Sequence, residues 1–369
     1  MNTLRIAIDA MGGDFGCQSI LPAVLMAAKR YPSIEFRLYG ESSIQIKTHN
    51  LASPSQLLGN IKYVVSETSV SMDESPKAAL RKKRDSSMGL ALQSVANGES
   101  DGCISAGNTG ALVALGVHFL RCYQGLSRPA LCKAIPVFTS SLVLSKHSYL
   151  LDLGANVDCS AQQLQQFACL GSMLFSVLEK SDNPSVRLLN IGRETFKGSA
   201  LVQAAAEHCD NTEGLNYQGF IEADEVFQGI ADVIVCDGFS GNIALKASEG
   251  AARIVAGNLK EVFARNMFTR LLAALSRPVL RRWQDGINPD RYNGAYLLGL
   301  KGTVVKSHGS ANTQQFFYAL EMLIEQLQQQ SVAVSANASN VAAHSTLSDQ
   351  CMYINNMESI FTSTFDVIS

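Results

Sequence analysis

A glycine-rich loop recurs five times in this chain, each time directly after a short apolar run. A buried strand that ends in Gly, Asn, Ser or Asp and then opens a helix is typical of ligand sites in open α/β proteins. Backbone N–H groups and a helix N-terminus at such a loop can hold an anion. The five loops therefore predict one composite site for a phosphate-like ligand. They span residues 6–14, 103–110, 150–158, 233–242 and 304–310.

Length and composition limit the classes of protein that fit. The 369 residues suffice for one large α/β domain or two lobes, and 47% hydrophobic against 17% charged residues favours a sizeable core. The formal net charge of −2 argues against a nucleic-acid partner. No apolar run reaches the length of a membrane span. The N-terminal residues enter a predicted strand at once, so we expect no signal peptide and a cytoplasmic location.

The nine cysteines show neither a CxxC pair nor zinc-ligand spacing. We expect reduced thiols that fill core sites, with no metal and no cofactor. Cys103 and Cys159 lie beside glycine loops. A catalytic thiol is disfavoured there, because no His stands close to either one in a recognisable motif.

Apolar runs alternate with helical stretches along the chain. This alternation predicts parallel βαβ units in an α/β fold, with a layered, mostly parallel sheet and helices on both faces. Several runs are continuously apolar, as expected for strands covered on both faces. The predicted strands are 4–9, 35–39, 61–66, 102–105, 148–153, 187–191, 233–236 and 303–306. The predicted helices are 20–30, 75–98, 111–122, 161–178, 199–208 and 243–257.

A basic amphipathic segment at 260–283 departs from this alternation. Pro278 should kink or end its helix, which predicts a helical hairpin over 258–285. The segment could lie on an anionic membrane, dock an acidic partner, or pack on its own protein or a dimer mate, which is the commonest case. Apolar residues recur at helical spacing, at Phe268, Leu271, Leu272 and Leu275. Its basic residues are Lys260, Arg265, Arg270, Arg277, Arg281 and Arg282.

Two further segments stand out. The stretch 71–88 has five basic residues within 77–84. The chain after residue 330 is rich in Ser, Ala and Asn and nearly uncharged, so its first part is expected to be a flexible linker. The predicted organisation is an α/β catalytic domain over 1–330, with two lobes around one cleft and the hairpin inserted, followed by a partly flexible tail over 331–369.

The loops GGD and SAGNTG supply the first candidate ligand groups. GGD meets neither the dinucleotide nor the P-loop fingerprint, and a tight turn explains it equally well. SAGNTG is more specific, since its glycines permit close backbone approach and the following helix would aim N–H groups at an anion. A simple N-cap is the alternative for Thr109. The candidates here are Asp9, Gly12, Gly13, Asp14, Ser105, Gly107, Asn108, Thr109 and Gly110.

The later loops add two groups that suit catalysis. Lys197 is a point charge suited to phosphate or a developing oxyanion, although a lone loop lysine is usually only solvated. His308 is a candidate acid or base, and a structural histidine is an equally good interpretation. The remaining candidates for substrate binding are Asn156, Asp237, Ser240, Asn242, Lys306, Ser307 and Ser310.

Seven sequence blocks in collinear order resemble the bacterial phosphate acyltransferases, the acyl-ACP:phosphate acyltransferases of phospholipid synthesis. The blocks cover about residues 4–325, and their combination is specific although each alone is weak. They are IAIDAMGGD, PKAALRKKRDSSM, SAGNTGALVA, LDLGANVDC, LNIG with KG, VIVCDGFSGNIALKASEG and YNGAYLLGLKGTVVKSHGSA. The chain keeps Lys197, Asn108 and the SHGS block, and it departs from the family pattern at Cys17, Arg193, Ser199 and Ala223.

The resemblance implies reversible conversion of acyl-ACP and inorganic phosphate to acyl phosphate and ACP. It implies a homodimer with a phosphotransacetylase/isocitrate-dehydrogenase-like fold, whose product passes to a membrane glycerol-3-phosphate acyltransferase. It also implies that the hairpin projects from the dimer and touches membrane or ACP. Phosphate is itself the nucleophile in such a reaction, so no activated Ser or Cys is needed. The expected catalytic residues are Lys197, Asn108 and His308, with charge also from the amides of 107–110.

Three other functions stay open. A phosphotransacylase acting on short-chain acyl-CoA is the first alternative, although CoA needs no basic amphipathic hairpin. A non-catalytic, membrane-docked scaffold would leave the loop chemistry unexplained. A nicotinamide dehydrogenase is the weakest alternative, because the fingerprint glycines are missing.

Overall fold

The computed structural model describes residues 3–45, 47, 59–137, 147–277 and 292–340, with side chains through residue 329 of the last range. The chain divides into two compact units. Unit 1 comprises Met1–Cys132, Met173–Asp182 and Asn293–Ser369, and unit 2 comprises Lys133–Ser172 and Asn183–Tyr292. The division falls within one strand and one long helix.

The secondary structure alternates strands and helices as the sequence predicts. In chain order the strands are β1 (Arg5–Asp9), β2 (Glu35–Gly40), β3 (Ile61–Val65), β4 (Gly102–Ser105), β5 (Ala130–Pro136), β6 (His147–Leu151), β7 (Val186–Leu189), β8 (Tyr217–Ile221), β9 (Val233–Val235), β10 (Ala295–Leu298) and β11 (Thr303–Lys306). The helices are α1 (Cys17–Arg30), α2 (Pro76–Lys82), α3 (Ser87–Ala96), α4 (Thr109–Leu120), α5 (Ala161–Glu179), α6 (Ala200–Asp210), α7 (Gly238–Ala264), α8 (Met267–Leu275) and α9 (Thr313–Asn340).

In unit 1 the strands lie in the order β3-β2-β1-β4-β11-β10-β5. Adjacent strands from β3 to β11 are parallel, and β10 runs antiparallel to both of its neighbours. All four residues of β4 are buried. Because successive side chains of a strand point to opposite faces, both faces are covered at β4. Helix α1 packs against α9, and α3 packs against β1, which explains the burial of Phe36 and Phe316.

In unit 2 the strands lie in the order β6-β9-β7-β8, and every pair is parallel. All three residues of β9 are buried, and the Phe167 side chain of α5 is fully buried. The prediction of an α/β fold with a mostly parallel sheet is confirmed. In parallel sheets the loops after the strands share one edge, so each unit has one edge at which functional loops can gather.

The sequence prediction missed β5, β8, β10 and α9. Lys133 interrupts the apolar run of β5, and Gly219 interrupts β8 with a φ of 80°. The single helix predicted at 75–98 is wrong, because it divides into α2 and α3. The Ser86 side chain accepts a hydrogen bond from Gly89 N (3.2 Å) and thereby caps a new helix. Helix α9 continues through Asn340, and the chain after it lies outside the described residues.

The basic segment contains a helical break upstream of Pro278 that the sequence did not predict. Helix α7 runs unbroken to Ala264, and the break comes at Arg265 and Asn266. Asn266 caps α8 by accepting from Thr269 N (2.8 Å), while the Thr269 hydroxyl accepts from Asn266 N (3.1 Å). Pro278 lies outside the described residues. Among the helices that are described, none combines the length and apolar character needed to cross a bilayer.

Candidate functional site

Three chemically distinct side chains form a row at the carboxyl edge of the unit 1 sheet. Asp9, Ser105 and Lys306 are the last residues of the adjacent parallel strands β1, β4 and β11. Asp9 pairs in register with Ser105, and Ser105 pairs with Lys306. The loops that follow, residues 9–14, 105–110 and 306–310, form what we call the unit 1 loop cluster.

Asp9 is buried, with 1% of its surface exposed, and it organises this cluster. Its carboxylate accepts hydrogen bonds from the hydroxyls of Ser105 and Ser87, each at 2.6 Å. Ser105 Oγ in turn accepts from Gly107 N (3.0 Å). Burial raises the pKa of Asp9, while the two serine hydroxyls and the charge of Lys306 act in the opposite direction. Asp9 therefore fixes the start of the second loop without reaching solvent.

The glycines of the unit 1 loop cluster let the loops pack directly on one another. A Cβ on Gly12 would lie 2.6 Å from Gly107 N, and one on Gly13 would lie 2.7 Å from Gly309 O. Gly13 also has a φ of 85°, a left-handed conformation that favours glycine. Asp14 N donates to Gly309 O (2.8 Å). All three loops thus meet within unit 1.

Asn108 caps α4 with a neutral side chain. Its Oδ1 accepts from Ala111 N (2.9 Å), and its Nδ2 donates to Met72 O (2.6 Å) and Glu74 O (3.1 Å). The N–H groups of a helix's first turn have no acceptor within the helix. The amides of Thr109 and Gly110 belong to that turn and carry the positive end of the α4 dipole.

Lys306 places a cation beneath these loops. It is 7% exposed, and its Nζ donates to Ala106 O (3.2 Å) and to Ser307 O. Ser307 is fully buried, and its hydroxyl accepts from Asn293 Nδ2 (2.8 Å). A buried ammonium beside Asp9 is a source of positive charge that solvent screens weakly.

His308 and Ser310 lie together at the exposed end of the cluster. His308 Nδ1 lies 2.9 Å from Ser310 Oγ, and Ser310 N donates to the same nitrogen at 3.2 Å. A backbone donor on Nδ1 requires that nitrogen to be an acceptor, so the neutral ring carries its proton on Nε2. The imidazole is therefore oriented as an N–H donor at its outer nitrogen.

The loops of unit 2 are organised around their own carboxylates. We call residues 152–159 and 237–242 the unit 2 loop cluster. Asp152 is fully buried and accepts from Leu153 N (2.7 Å), Asn156 N (2.7 Å) and Asn156 Nδ2 (2.9 Å). Asp237 caps α7 by accepting from Ser240 N and Ser240 Oγ, both at 2.8 Å.

Negative charge dominates the unit 2 loop cluster. The carboxylates of Asp152, Asp237 and Asp158 all act on Cys159, although burial is the main reason that its pKa rises to about 11. A Cβ on Gly241 would lie 2.0 Å from Asp152 O, so the close approach at this glycine serves loop packing. Burial also raises the pKa of Cys103, which is fully buried. Neither thiol has the depressed pKa of a reactive cysteine.

Lys197 lies in unit 2 on the loop after β7 and is paired. Its Nζ lies 2.9 Å from Glu194 Oε1, with 39% of its side chain exposed. The hydrogen bond to Glu194 raises the pKa of Lys197, so the ammonium is firmly protonated. The loop is pinned beneath it, because Asn190 Nδ2 donates to Lys197 O (3.0 Å).

The predicted site residues thus divide between the units. Unit 1 brings together Asp9, Gly12, Gly13, Asp14, Ser105, Gly107, Asn108, Thr109, Gly110, Lys306, Ser307, His308 and Ser310. Unit 2 brings together Asn156, Asp237, Ser240 and Asn242, and it also contains Lys197. Lys260, Arg265, Arg270 and Arg277 are exposed on or beside α7 and α8, while Arg281 and Arg282 lie outside the described residues.

Sequence reasoning missed two residues that shape the unit 1 loop cluster. Ser87 holds Asp9, and Asn293 holds both Ser307 and, through its Oδ1, His308 N (3.3 Å). Both lie inside blocks that carry the family resemblance, PKAALRKKRDSSM and YNGAYLLG. That position was the available signal, but no chemistry in either block pointed to a serine or an amide.

Comparisons with known proteins give a consistent family. Residues 4–334 match the family model described as "Fatty acid synthesis protein". A phosphate acyltransferase of Pseudomonas syringae pv. tomato is 47% identical over 88% of this chain and 93% of its own length. A phosphate acyltransferase of Shewanella sp. (strain MR-4) is 43% identical over 89% of this chain and 94% of its own.

Solved structures support the fold. The EutD phosphotransacetylase from Staphylococcus aureus superposes with a TM-score of 0.55 at 17% identity, over 89% of this chain and 94% of that one. A phosphotransacetylase from Streptococcus pyogenes gives a TM-score of 0.56 at 16% identity, with the same coverage. The solved structures show the fold alone, whereas the sequence matches extend over nearly the whole length of the phosphate acyltransferases. The chain therefore belongs to the fatty acid synthesis protein family, together with the phosphate acyltransferases.

Proposed function

We propose that this chain is an acyltransferase that moves a fatty acyl group from an acyl-ACP thioester to inorganic phosphate, giving acyl phosphate and ACP. The observation that carries the proposal is the unit 1 loop cluster, where a neutral helix cap, a helix N-terminus and a buried lysine meet at one sheet edge. The names of its relatives support the choice of phosphate as acceptor.

Phosphate binding is assigned to the first turn of α4. The amides of Thr109 and Gly110 donate to phosphate oxygens, and Lys306 adds positive charge from below. Gly12, Gly13 and Asp14 form the opposing wall. Asp9, Ser105 and Ser307 are buried, so we assign them to holding the loops rather than to contact with phosphate.

The reaction needs little covalent chemistry from the protein. A phosphate oxygen attacks the thioester carbonyl carbon, an oxyanion forms, and the C–S bond then breaks to release the ACP thiolate. His308 donates a hydrogen bond from Nε2 to that leaving sulfur, with Ser310 holding Nδ1, and the thiolate takes up the proton that the attacking phosphate releases. Asn108 contributes by fixing the helix that binds the nucleophile. Holding phosphate against the carbonyl supplies most of the rate enhancement.

We also propose that Lys197 stabilises the oxyanion and that Asn156, Ser240 and Asn242 of unit 2 contribute to substrate binding. The support is a fixed, fully protonated ammonium on a pinned loop. Replacing Lys197 with Ala should remove most of kcat while the chain stays folded. Near-normal turnover would remove Lys197 from the mechanism.

We propose a cytoplasmic homodimer that touches the membrane, and the exposed apolar faces of α7 and α8 support the dimer and membrane contacts. Exposed fractions reach 66% for Ile254 on α7 and 86% for Met267 on α8. Phe268, Leu271, Leu272 and Leu275 share one face of α8 and are all exposed. We assign that face of α8 to contact with the bilayer and the exposed face of α7 to the dimer interface. At the bilayer, the product would pass to a membrane glycerol-3-phosphate acyltransferase. Changing Leu271 and Leu275 to Glu should abolish vesicle flotation without changing the oligomer mass.

A single assay tests the function. Long-chain acyl-ACP is incubated with the purified chain, and release of the ACP thiol is followed as phosphate is varied. Release should saturate with phosphate, and acetyl-CoA should be a poor donor in the same assay. Efficient turnover of acetyl-CoA would favour the short-chain phosphotransacylase instead. No phosphate-dependent release from either donor would overturn both.

A further inference from the structure

Helix α2 and the residues after it form an exposed basic surface that the proposed chemistry does not use. Lys77, Arg81, Lys82 and Arg84 are exposed, and Lys83 is half-buried. Within the described part of the chain, none of these five forms an ion pair with a carboxylate. The whole chain has 30 basic and 32 acidic residues, so such a local excess needs a reason.

The basic surface extends onto the end of α4. Arg121 is exposed where α4 ends, and α2 packs against α4. Burial and then the charges of Arg84 and Arg121 lower the pKa of His118 on α4, which places both guanidinium groups near one imidazole. The acidic residues closest in sequence, Asp73, Glu74 and Asp85, flank the helix rather than interrupt it.

This surface begins at the unit 1 loop cluster. A Cβ on Gly110 would lie 2.7 Å from Pro76 Cγ, the first residue of α2. The segment before α2 is tied to the same loop, because Asn108 Nδ2 donates to Met72 O and Glu74 O. At about 1.5 Å of rise per residue, the far end of α2 lies about 10 Å from Pro76. A partner bound on α2 would therefore sit beside the proposed phosphate site.

We propose that the basic face of α2, with Arg84 and Arg121, is the docking surface for the acidic protein that carries the acyl thioester. The inference rests on the proposed function, in which the donor is acyl-ACP, and it moves the main ACP contact from the hairpin to α2. Charge complementarity favours an acidic protein here, since a basic helix next to the reaction site would steer it and fix its register. The exposed apolar face of α8 suits a bilayer, whereas the exposed face of α2 is almost purely cationic.

The test is the double substitution R81E/K82E, compared with K29E, which reverses an exposed lysine on α1. For R81E/K82E, kcat/KM with long-chain acyl-ACP should fall by at least about tenfold at low salt. The value for an uncharged acyl thioester of N-acetylcysteamine should stay within about twofold. K29E should change neither value. Raising the salt to about 0.3 M should reduce the difference in kcat/KM for acyl-ACP between wild type and R81E/K82E, because salt screens the attraction between the basic surface and ACP.

A second pair of measurements separates this inference from the proposed function. Titration of holo-ACP into the chain measures ACP binding without turnover, and the R81E/K82E variant should bind ACP more weakly than wild type does. An R265E/R270E variant on the hairpin should bind ACP as wild type does. Any of three outcomes for R81E/K82E would overturn the inference. The first is unchanged ACP binding and kinetics, the second is an equal loss of kcat/KM with both thioesters, and the third is a loss of binding to anionic vesicles alone. A wild type that binds ACP through α2 but turns over no thioester would overturn the proposed function alone.

Discussion

The loop clusters of the two units share a sequence signature but differ in electrostatics. In unit 1 the helix after the second loop is capped by neutral Asn108, and Lys306 lies beneath it. In unit 2 the cap of α7 is the carboxylate of Asp237. The carboxylate of Asp152 accepts hydrogen bonds from the loop amides that would otherwise be available to a bound anion. A glycine-rich loop after a strand therefore predicts a place for an anion, which the protein's own carboxylate can occupy. The charge of the cap decides which kind of loop has formed.

The largest expected effect comes from Lys306. Replacing it with Met keeps the length of the side chain but removes the buried cation, and Asp9 is left as an uncompensated buried acid. We expect kcat/KM for phosphate to fall about 10³-fold, about 4 kcal/mol in transition-state stabilisation. Steady-state kinetics at varied phosphate measure it, with circular dichroism to show that the variant is folded.

Lys133 supplies the matched control in unit 2. It is also a buried lysine, and its Nζ lies 2.8 Å from Glu249 Oε1. Lys133→Met should lower Tm, because Glu249 loses its partner, yet kcat/KM of the folded fraction should stay within about threefold. If Lys133→Met impaired catalysis as strongly as Lys306→Met, the assignment of phosphate to unit 1 would be wrong.

Exchanging the two helix caps should give the next largest effect. Asn108→Asp puts a carboxylate at the proposed phosphate helix, and we expect KM for phosphate to rise about thirtyfold, about 2 kcal/mol. Asp237→Asn makes the reverse change in unit 2 and should leave that KM within about threefold, since Asn is an equally good cap. Asn108→Ser separates charge from anchoring, because it keeps a neutral cap but loses the donation to Met72 O and Glu74 O. A larger effect of Asp237→Asn than of Asn108→Asp would reverse the comparison.

Asp9→Asn should cost less activity, about tenfold in kcat/KM, because Asn still accepts one serine hydroxyl. Its effect on stability depends on pH. Burial raises the pKa of Asp9 above the unfolded value of about 3.9, so the folded chain keeps this proton where the unfolded chain has lost it. Wild-type stability from this group therefore falls as pH rises from the unfolded toward the folded pKa.

Thermal unfolding at several pH values measures that slope. Asn does not titrate, so Tm of Asp9→Asn minus Tm of wild type should increase across the same window and be constant above it. A difference that is flat from pH 4 upward would mean that Asp9 is not a costly buried acid, and the positioning role would lose its support.

The sequence predicted most strands of both units because continuous apolar runs that end in glycine are a strong local signal. The bounds of β4 and β11 were predicted without error. A lysine or a glycine breaks the run in the missed β5 and β8, whereas the missed β10 is an unbroken apolar run followed by Gly299, so its run alone does not explain the miss. The candidate site was predictable as far as residue types at strand ends. The strand order that places Lys306 beside Ser105 arises from pairings distant in sequence. Likewise, the sequence around Asp152 does not show that its buried carboxylate accepts hydrogen bonds from the amides of its own loop.

The smallest expected effect is at Cys159, the last residue of the first loop in the unit 2 loop cluster. With a pKa of about 11, only about one thiol in 10⁴ is ionised at pH 7, and the neighbouring carboxylates oppose formation of the thiolate. Cys159→Ser should keep kcat/KM within about twofold, and iodoacetamide should inactivate wild type and variant at the same slow rate. Rapid inactivation of wild type alone would show a reactive thiolate in unit 2. Such a thiolate would require positive charge nearby. The unit 2 loop cluster would then not be dominated by negative charge, and the electrostatic contrast between the two clusters would be wrong.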